Sequence, residues 1–199
     1  MELVKRLRDM TGAGMMDCKR SLEETAGDLD KAVVLLRERG IAKAAKRAGR
    51  ETTNGVVEAY LHRTSDDYPP QVGALVEVDC ESDFVAKGDD FRRLARELAM
   101  HVAAANPRWI SRDQVPVETV DSERDLYRRR AEQDGKPAGA LERIVDGQLE
   151  AFFKDFCLLE QPYIRDPKTP VKDLVAEAMS KLQENITVRR ISRFSIKED

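Results

Sequence analysis

The hydrophobic and polar positions between Leu75 and Val102 change period once, and the change separates a strand from a helix. Val76, Val78 and Cys80 alternate with Glu77 and Asp79, the two-residue period of a strand with one buried face. Phe91, Leu94, Ala95, Leu98 and Val102 then recur at helical spacing, behind Asp89 or Asp90 as a cap. Ser82, Asp83 and Phe84 fall in the short connection between them. A carboxylate beside an aromatic ring has two readings in such a place. It is a cap followed by a core residue, or a probe offered to a partner. Periodicity leaves both open.

Upstream, three short helical patterns follow one another. Leu3, Val4, Leu7 and Met10 make a stripe that ends at Thr11-Gly12, and Cys18 and Leu22 share a face on a segment that stops at Ala26-Gly27. Asp28 caps a third segment with Leu29, Val33 and Leu36 on one side, and Gly40 stands as its C′ residue. A solvated connecting helix is predicted over residues 41–50, with a boundary at Thr52-Thr53-Asn54-Gly55. From Gly55 the period returns to two, Val57, Ala59 and Leu61 alternating with Val56, Glu58 and Tyr60. A turn-rich excursion from His62 to Gln71 leads into the strand Val72–Cys80, and two strands this close pair antiparallel.

Downstream, Asn106-Pro107 stops the long helix. Val117, Val120 and Leu126 on one charged arm are expected to meet Leu141, Ile144, Val145 and Leu149 on another. Gly135-Lys136-Pro137 reverses the chain between them, which predicts a projecting helical hairpin over 117–154. Phe152, Phe153, Phe156, Leu158 and Leu159 return the chain to the core. Thr169 is expected to cap, and Pro170 to start, a helix with Val171, Leu174, Val175, Ala178 and Leu182 on one side. A last strand runs from Ile186 to Ile196. The fold class is therefore α+β. Residues 1–50 form a three-helix bundle with its connecting helix, and 55–199 form a core of small antiparallel sheet packed with helices.

Composition narrows the function. Charged residues make up 36% of the 199, aromatic ones 6%, which suits a globular protein with much exposed helix. No run of eighteen apolar residues suggests a membrane span, and Met1 to Arg6 lack the apolar core of a signal peptide, so a cytoplasmic protein is expected. Cys18, Cys80 and Cys157 are far apart and without CxxC spacing, which favours reduced thiols over disulfides or zinc. His101 has no histidine or cysteine at ligand spacing and reads as packing. Gly12 and Gly14 are not followed by Gly-Lys-Ser/Thr, so this loop is no phosphate-binding P-loop. No nucleophile elbow, carboxylate pair or metal constellation supports an enzyme, and no cofactor is expected. Twelve Lys/Arg against eight Asp/Glu in the first fifty residues make a basic head, although the whole chain has a formal net charge of −3. Nucleic-acid binding is not expected as the primary function. The alternative reading is an RNA- or ribosome-associated module that uses that head.

The run Val78-Asp79-Cys80-Glu81-Ser82-Asp83-Phe84-Val85-Ala86-Lys87-Gly88-Asp89-Asp90-Phe91 resembles the signature loop of the elongation factor Ts family, with Ser82 where the family usually has Thr. Thr11 to Lys19, Ala99 to Ala103, Leu158 to Pro162, and Glu184-Asn185-Ile186 with Val188-Arg189-Arg190 are similar to further family motifs, in family order. The first fifty residues resemble the ubiquitin-associated type of bundle with which that family begins.

The resemblance implies a guanine nucleotide exchange factor that promotes GDP release from elongation factor Tu, without covalent chemistry. It implies that Asp83 and Phe84 enter between two helices of the partner's G domain and disturb its magnesium site. Ser82 and Val85 accompany them. Met15, Met16 and Lys19 face the same G domain. His62 precedes a turn longer than the family's, and Leu182-Gln183 stand where the family often has Ile-Gly; both His62 and Leu182 belong to the implied partner-binding set. Short members of the family are expected to pair, giving a homodimer through the sheet and a 2:2 complex.

Overall fold

The computed structural model of the chain describes residues 1–196. It is an α+β protein with helices α1 (Glu2–Thr11), α2 (Met15–Glu24) and α3 (Leu29–Ala45) ahead of strands β1 (Asn54–His62) and β2 (Val72–Cys80). A single turn α4 (Asp83–Ala86) and the helix α5 (Asp89–Ala105) follow, then the long pair α6 (Val117–Gln133) and α7 (Leu141–Phe156). A short strand pair, β3 (Pro162–Tyr163) and β4 (Asp166–Pro170), precedes α8 (Val171–Leu182) and β5 (Ile186–Ser195). The three-stranded sheet has the order β1-β2-β5. Contacts divide the described residues into two compact units: Met1–Glu58, Val76–Glu97 and Asp173–Arg189, then Ala59–Leu75, Leu98–Lys172 and residues 190–196.

In the first unit, α1, α2 and α3 pack on one another around Leu7, Cys18, Leu22, Ala32 and Leu36. Leu3 and Met10 are exposed, so the buried stripe of α1 is narrower than its apolar pattern and reduces to Leu7 with Val4 beside it. Gly12 closes α1 in the left-handed conformation, φ 66°, its N–H donating to the Arg8 carbonyl at 2.7 Å. The Asp28 side chain accepts from Lys31 N and starts α3, as its position predicts.

Gly40 does not end that helix. It lies inside α3 and is buried, and a Cβ there would meet Ser180 Oγ at 3.1 Å and Ser180 Cβ at 3.3 Å. The glycine serves the close approach of α8, and the expected connecting helix is the continuation of α3 to Ala45. Gly55 has a like reason on β1, where a Cβ would stand 2.4 Å from the Val78 carbonyl oxygen. Val76, Val78 and Cys80 of β2 are buried, with Glu77 and Asp79 half-buried on the other face, the alternation expected.

In the second unit, Gln71 N donates to the His62 carbonyl at 3.3 Å and Ile196 N to the Gln71 carbonyl at 3.0 Å, so β1, β2 and β5 run antiparallel there. Leu98, Val102 and His101 of α5 are buried. The His101 ring is fully enclosed: Nε2 donates to Gln161 Oε1 at 2.9 Å and Nδ1 accepts from Ile164 N at 3.3 Å. Gln161 is oriented by its own amide, which donates to the carbonyls of Asp155 (2.7 Å) and Ala105 (3.3 Å). Its oxygen is therefore the atom that meets the ring, and the ring is the neutral Nε2–H tautomer.

The hairpin of α6 and α7 reverses at Gly135, φ 68°. Its seam departs from expectation. Val117 and Leu126 are exposed, while Ala131 of the first arm and the expected Val145 and Leu149 of the second are buried. Arg128–Glu142 (2.6 Å) and Arg124–Asp146 (3.2 Å) tie the arms outside that seam. At the base, Val115, Phe152 and Cys157 form a separate core with Trp109, Val120, Tyr127, Phe153 and Phe156. Thr169 is also a correction. It lies in β4, where its hydroxyl donates to Asp166 Oδ2 at 2.5 Å, and the Val171 N–H donates to the Gln161 carbonyl. Pro170, paired with Pro162, is the last residue of β4, and α8 begins at Val171, one residue later than the sequence places the first helical position.

Candidate partner-binding site

Residues 82–88 are too few to hold a helix by themselves, because nucleating a turn costs several dihedrals for one hydrogen bond. Polar contacts supply what length does not. Ser82 is the N-cap of α4, its Oγ accepting from Val85 N at 3.3 Å. That hydroxyl donates in turn to Glu184 Oε1 at 2.5 Å, while Glu184 Oε2 accepts from the backbone N–H groups of Glu81 (3.0 Å) and Ser82 (3.1 Å). The grip is reciprocal. Glu81 Oε1 accepts from Asn185 N at 2.6 Å and pairs with Arg50 at 3.4 Å, while the Asn185 amide donates to the Arg50 carbonyl at 2.7 Å. Asn54 Nδ2 adds a bond to the Glu81 carbonyl.

On this footing Asp83 and Phe84 stand outside. Phe84 is 82% exposed, which decides between its two sequence readings: it is not a core residue. Asp83 is exposed and pairs with Lys87 one turn on at 2.6 Å, and the ammonium holds its carboxyl below the usual range. Val85 is buried and anchors the turn rather than facing solvent. Lys87 N donates to the Asp83 carbonyl and Gly88 N to the Val85 carbonyl, which closes the turn before α5. Cys80 beneath it is a buried thiol pushed up to about 11 by burial, so it stays protonated and inert.

The remaining sequence-derived residues are distributed as follows. Met15 and Met16 open α2 and both are exposed. Lys19 lies one turn on and reaches Glu23 at 3.8 Å. Leu182, the last residue of α8, is half-buried. Gln183 after it is left-handed, φ 64°, and its amide oxygen accepts from Arg47 at 2.6 Å. His62 ends β1 exposed, with Tyr60 Oη 3.3 Å from its Nδ1. Part of the basic head is paired: Lys43 with Asp17 at 2.8 Å and Arg39 with Glu24 at 2.5 Å inside it, and Arg37 with Asp173 of α8 at 3.1 Å.

Glu184, Glu81 and Asn185 carry no assigned role on sequence grounds, although all three lie in stretches similar to family motifs. One signal was available. A capping box has Glu or Gln three residues after the Ser, and this chain has Val85 there, so no residue of the turn itself bonds the Ser82 amide. Among the described residues no group of three His, Cys, Asp or Glu side chains is placed to hold a metal ion. None of the described helices is long and apolar enough to cross a membrane.

Comparison with known proteins agrees with the motifs. The Elongation factor TS family model matches residues 15–198. The chain is 52% identical over 197 residues to the elongation factor Ts of Carboxydothermus hydrogenoformans, covering 99% of this chain and 88% of that one. It is 52% identical over 193 residues to that of Caldanaerobacter subterraneus subsp. tengcongensis, covering 97% and 94%. With the protein of the same name from Fervidobacterium nodosum it shares 46% over 197 residues, covering 99% and 98%. Matches of this identity along nearly the whole length, around an exposed Asp-Phe tip, place the chain in the elongation factor Ts family of translation elongation factors.

Proposed function

We propose that this chain is the guanine nucleotide exchange factor of elongation factor Tu, speeding GDP release by binding the nucleotide-free partner better than the GDP-bound one. Only such a difference in affinity can shift the partner's equilibrium, and linkage makes GDP and the factor weaken each other by the same factor. The observation that carries this reading is the Phe84 ring, 82% exposed beside Asp83 on a single helical turn held between β2 and α5. An exposed ring so mounted loses little freedom on docking and enters an apolar cleft as a wedge. The neighbouring carboxylate brings charge toward a magnesium shell made of oxygens. Exchange needs no covalent step, no cofactor and no catalytic residue of its own. Met15, Met16 and Lys19 supply a second contact with the same G domain, adaptable thioethers beside a cation.

The reading extends to assembly. In the second unit Leu61, Leu75, Phe194 and Ile196 lie exposed on the sheet strands and their end, Phe194 at 73% and Ile196 at 74%. Covering each such side chain contributes roughly 1.5–3 kcal/mol. A second copy is the proposed cover, giving a homodimer and a 2:2 complex with the partner. Sedimentation at micromolar concentration tests it, and a monomer there rejects the dimer. Three free thiols suit a reducing compartment, the cytoplasm where translation factors act.

Release of labelled GDP from elongation factor Tu, with and without this chain, tests the central claim. Acceleration by the parent that Phe84→Ala or Asp83→Ala largely removes is the expected result. No acceleration by the parent chain overturns the reading.

A further inference from the structure

We infer that Glu184 is a positioning residue for the Asp83–Phe84 tip: its carboxylate completes, from the far end of the chain, the capping box that the tip's own sequence lacks. This role rests on the exchange function proposed above. In an ordinary capping box the N-cap hydroxyl bonds the N3 amide, and an acid at N3 reaches back to the N-cap amide. Here the first half is present, Ser82 Oγ accepting from Val85 N. The second half is impossible locally, because Val85 is buried as the anchor of the turn. Glu184 takes its place from 102 residues away. Its Oε2 receives the N-cap amide of Ser82 and the amide of Glu81, and its Oε1 receives the Ser82 hydroxyl.

Three donors on one carboxylate do two things. They satisfy the amide of the N-cap Ser82 and that of Glu81 before it, which no side chain of the four-residue turn reaches. They also leave the Ser82 hydroxyl proton committed to Glu184, so its lone pairs are free for Val85 N. Without Glu184 the four-residue turn keeps the Ser82 cap, the packing of Val85 and the solvent-open Asp83–Lys87 pair, but loses the bonds that fix the amide and hydroxyl of Ser82. A frayed tip then has to be ordered at the moment of docking, and the apparent affinity falls by the fraction that is competent. The rate at saturation is left alone, since Asp83 and Phe84 are still present. Glu184 touches neither of them.

Amide hydrogen exchange on the full chain reads the bracing without any partner. Glu184→Ala is expected to raise the exchange of amides 81–86 by about tenfold or more while those of α1 to α3 keep their protection. Unchanged protection at the tip overturns the inference, and loss of protection everywhere overturns it in favour of a general structural role. GDP release from elongation factor Tu, titrated with factor, reads the consequence. The half-saturating concentration is expected to rise on the order of tenfold with the plateau rate near the parent's. Glu184→Gln recovers part of the loss, because its amide oxygen still accepts both backbone N–H groups and its NH2 donates to Ser82 Oγ. In a Phe84→Ala background Glu184→Ala adds little, whereas full additivity overturns the positioning role. Parent-like release by Phe84→Ala with a loosened tip in Glu184→Ala sinks the proposed function itself, and tells that failure from this one. A loosened tip with an unchanged titration sinks only the role of Glu184.

Discussion

The tip of the first unit and the His101 layer of the second solve opposite problems with the same device, a polar side chain reaching across the sequence to a Gln or Glu. Around Ser82 the partner is an ionised carboxylate near the surface, and what it secures is a hydrophobic ring left outside. Around His101 the partner is a neutral amide in the interior, and every polar atom of the ring is matched. Charge is affordable only where water helps to solvate it; buried, the same arrangement has to be neutral and complete. The tip is thus built to show a side chain, and the layer to hide one.

His101→Ala breaks the hidden half. It removes a buried ring and leaves Gln161 Oε1 and the Ile164 amide unmatched, so urea unfolding should show a loss of about 3 kcal/mol. The exposed half breaks in activity instead. Phe84→Ala should slow GDP release about 30-fold, the ~2 kcal/mol of a binding hot spot, while stability moves by less than about 0.5 kcal/mol.

Acid sharpens the contrast. Burial holds the His101 imidazole below its ordinary value of 6.5, the Gln161 bond opposing that shift only in part. The unfolded chain therefore takes up the proton first. The layer's contribution is whole above pH 6.5 and is lost as pH falls through the lower folded value, with a slope of at most ~1.4 kcal/mol per pH unit. Unfolding measured from pH 7.5 to 5.5 should show that slope, and His101→Gln should flatten it. Ser82→Ala should cost about 1 kcal/mol, chiefly as faster amide exchange in α4. Lys87→Ala comes last: its pair with Asp83 is open to solvent, and no measurable change in stability is expected.

The regular elements are legible in the sequence alone. Val76, Val78 and Cys80 alternate because one face of β2 is buried, and Phe91 to Val102 repeat because one face of α5 is. Where the pattern misled, a neighbour distant in sequence had taken the decision. Gly40 reads as a stop by its own propensity, yet Ser180 needs that close approach and the helix runs on. Thr169-Pro170 reads as a helix start, and the helix does follow, but one residue later, because Pro170 is still paired with Pro162. Val117 and Leu126 read as part of the hairpin seam, yet both are exposed, while Val145 and Leu149 of the facing arm are buried as expected.

The site divides along the same line. The local order of Ser82, Asp83 and Phe84, with the motifs around it, was enough to point to a family and to an acid-and-ring tip, since caps and periodicity act over a few residues. Whether Phe84 faces inward or outward, and that Glu184 would hold the turn beneath it, were decided by the tertiary structure alone. Burial and cross-chain hydrogen bonds are properties of which distant segments meet, and nothing in a seven-residue window records the arrival of a carboxylate 102 positions away.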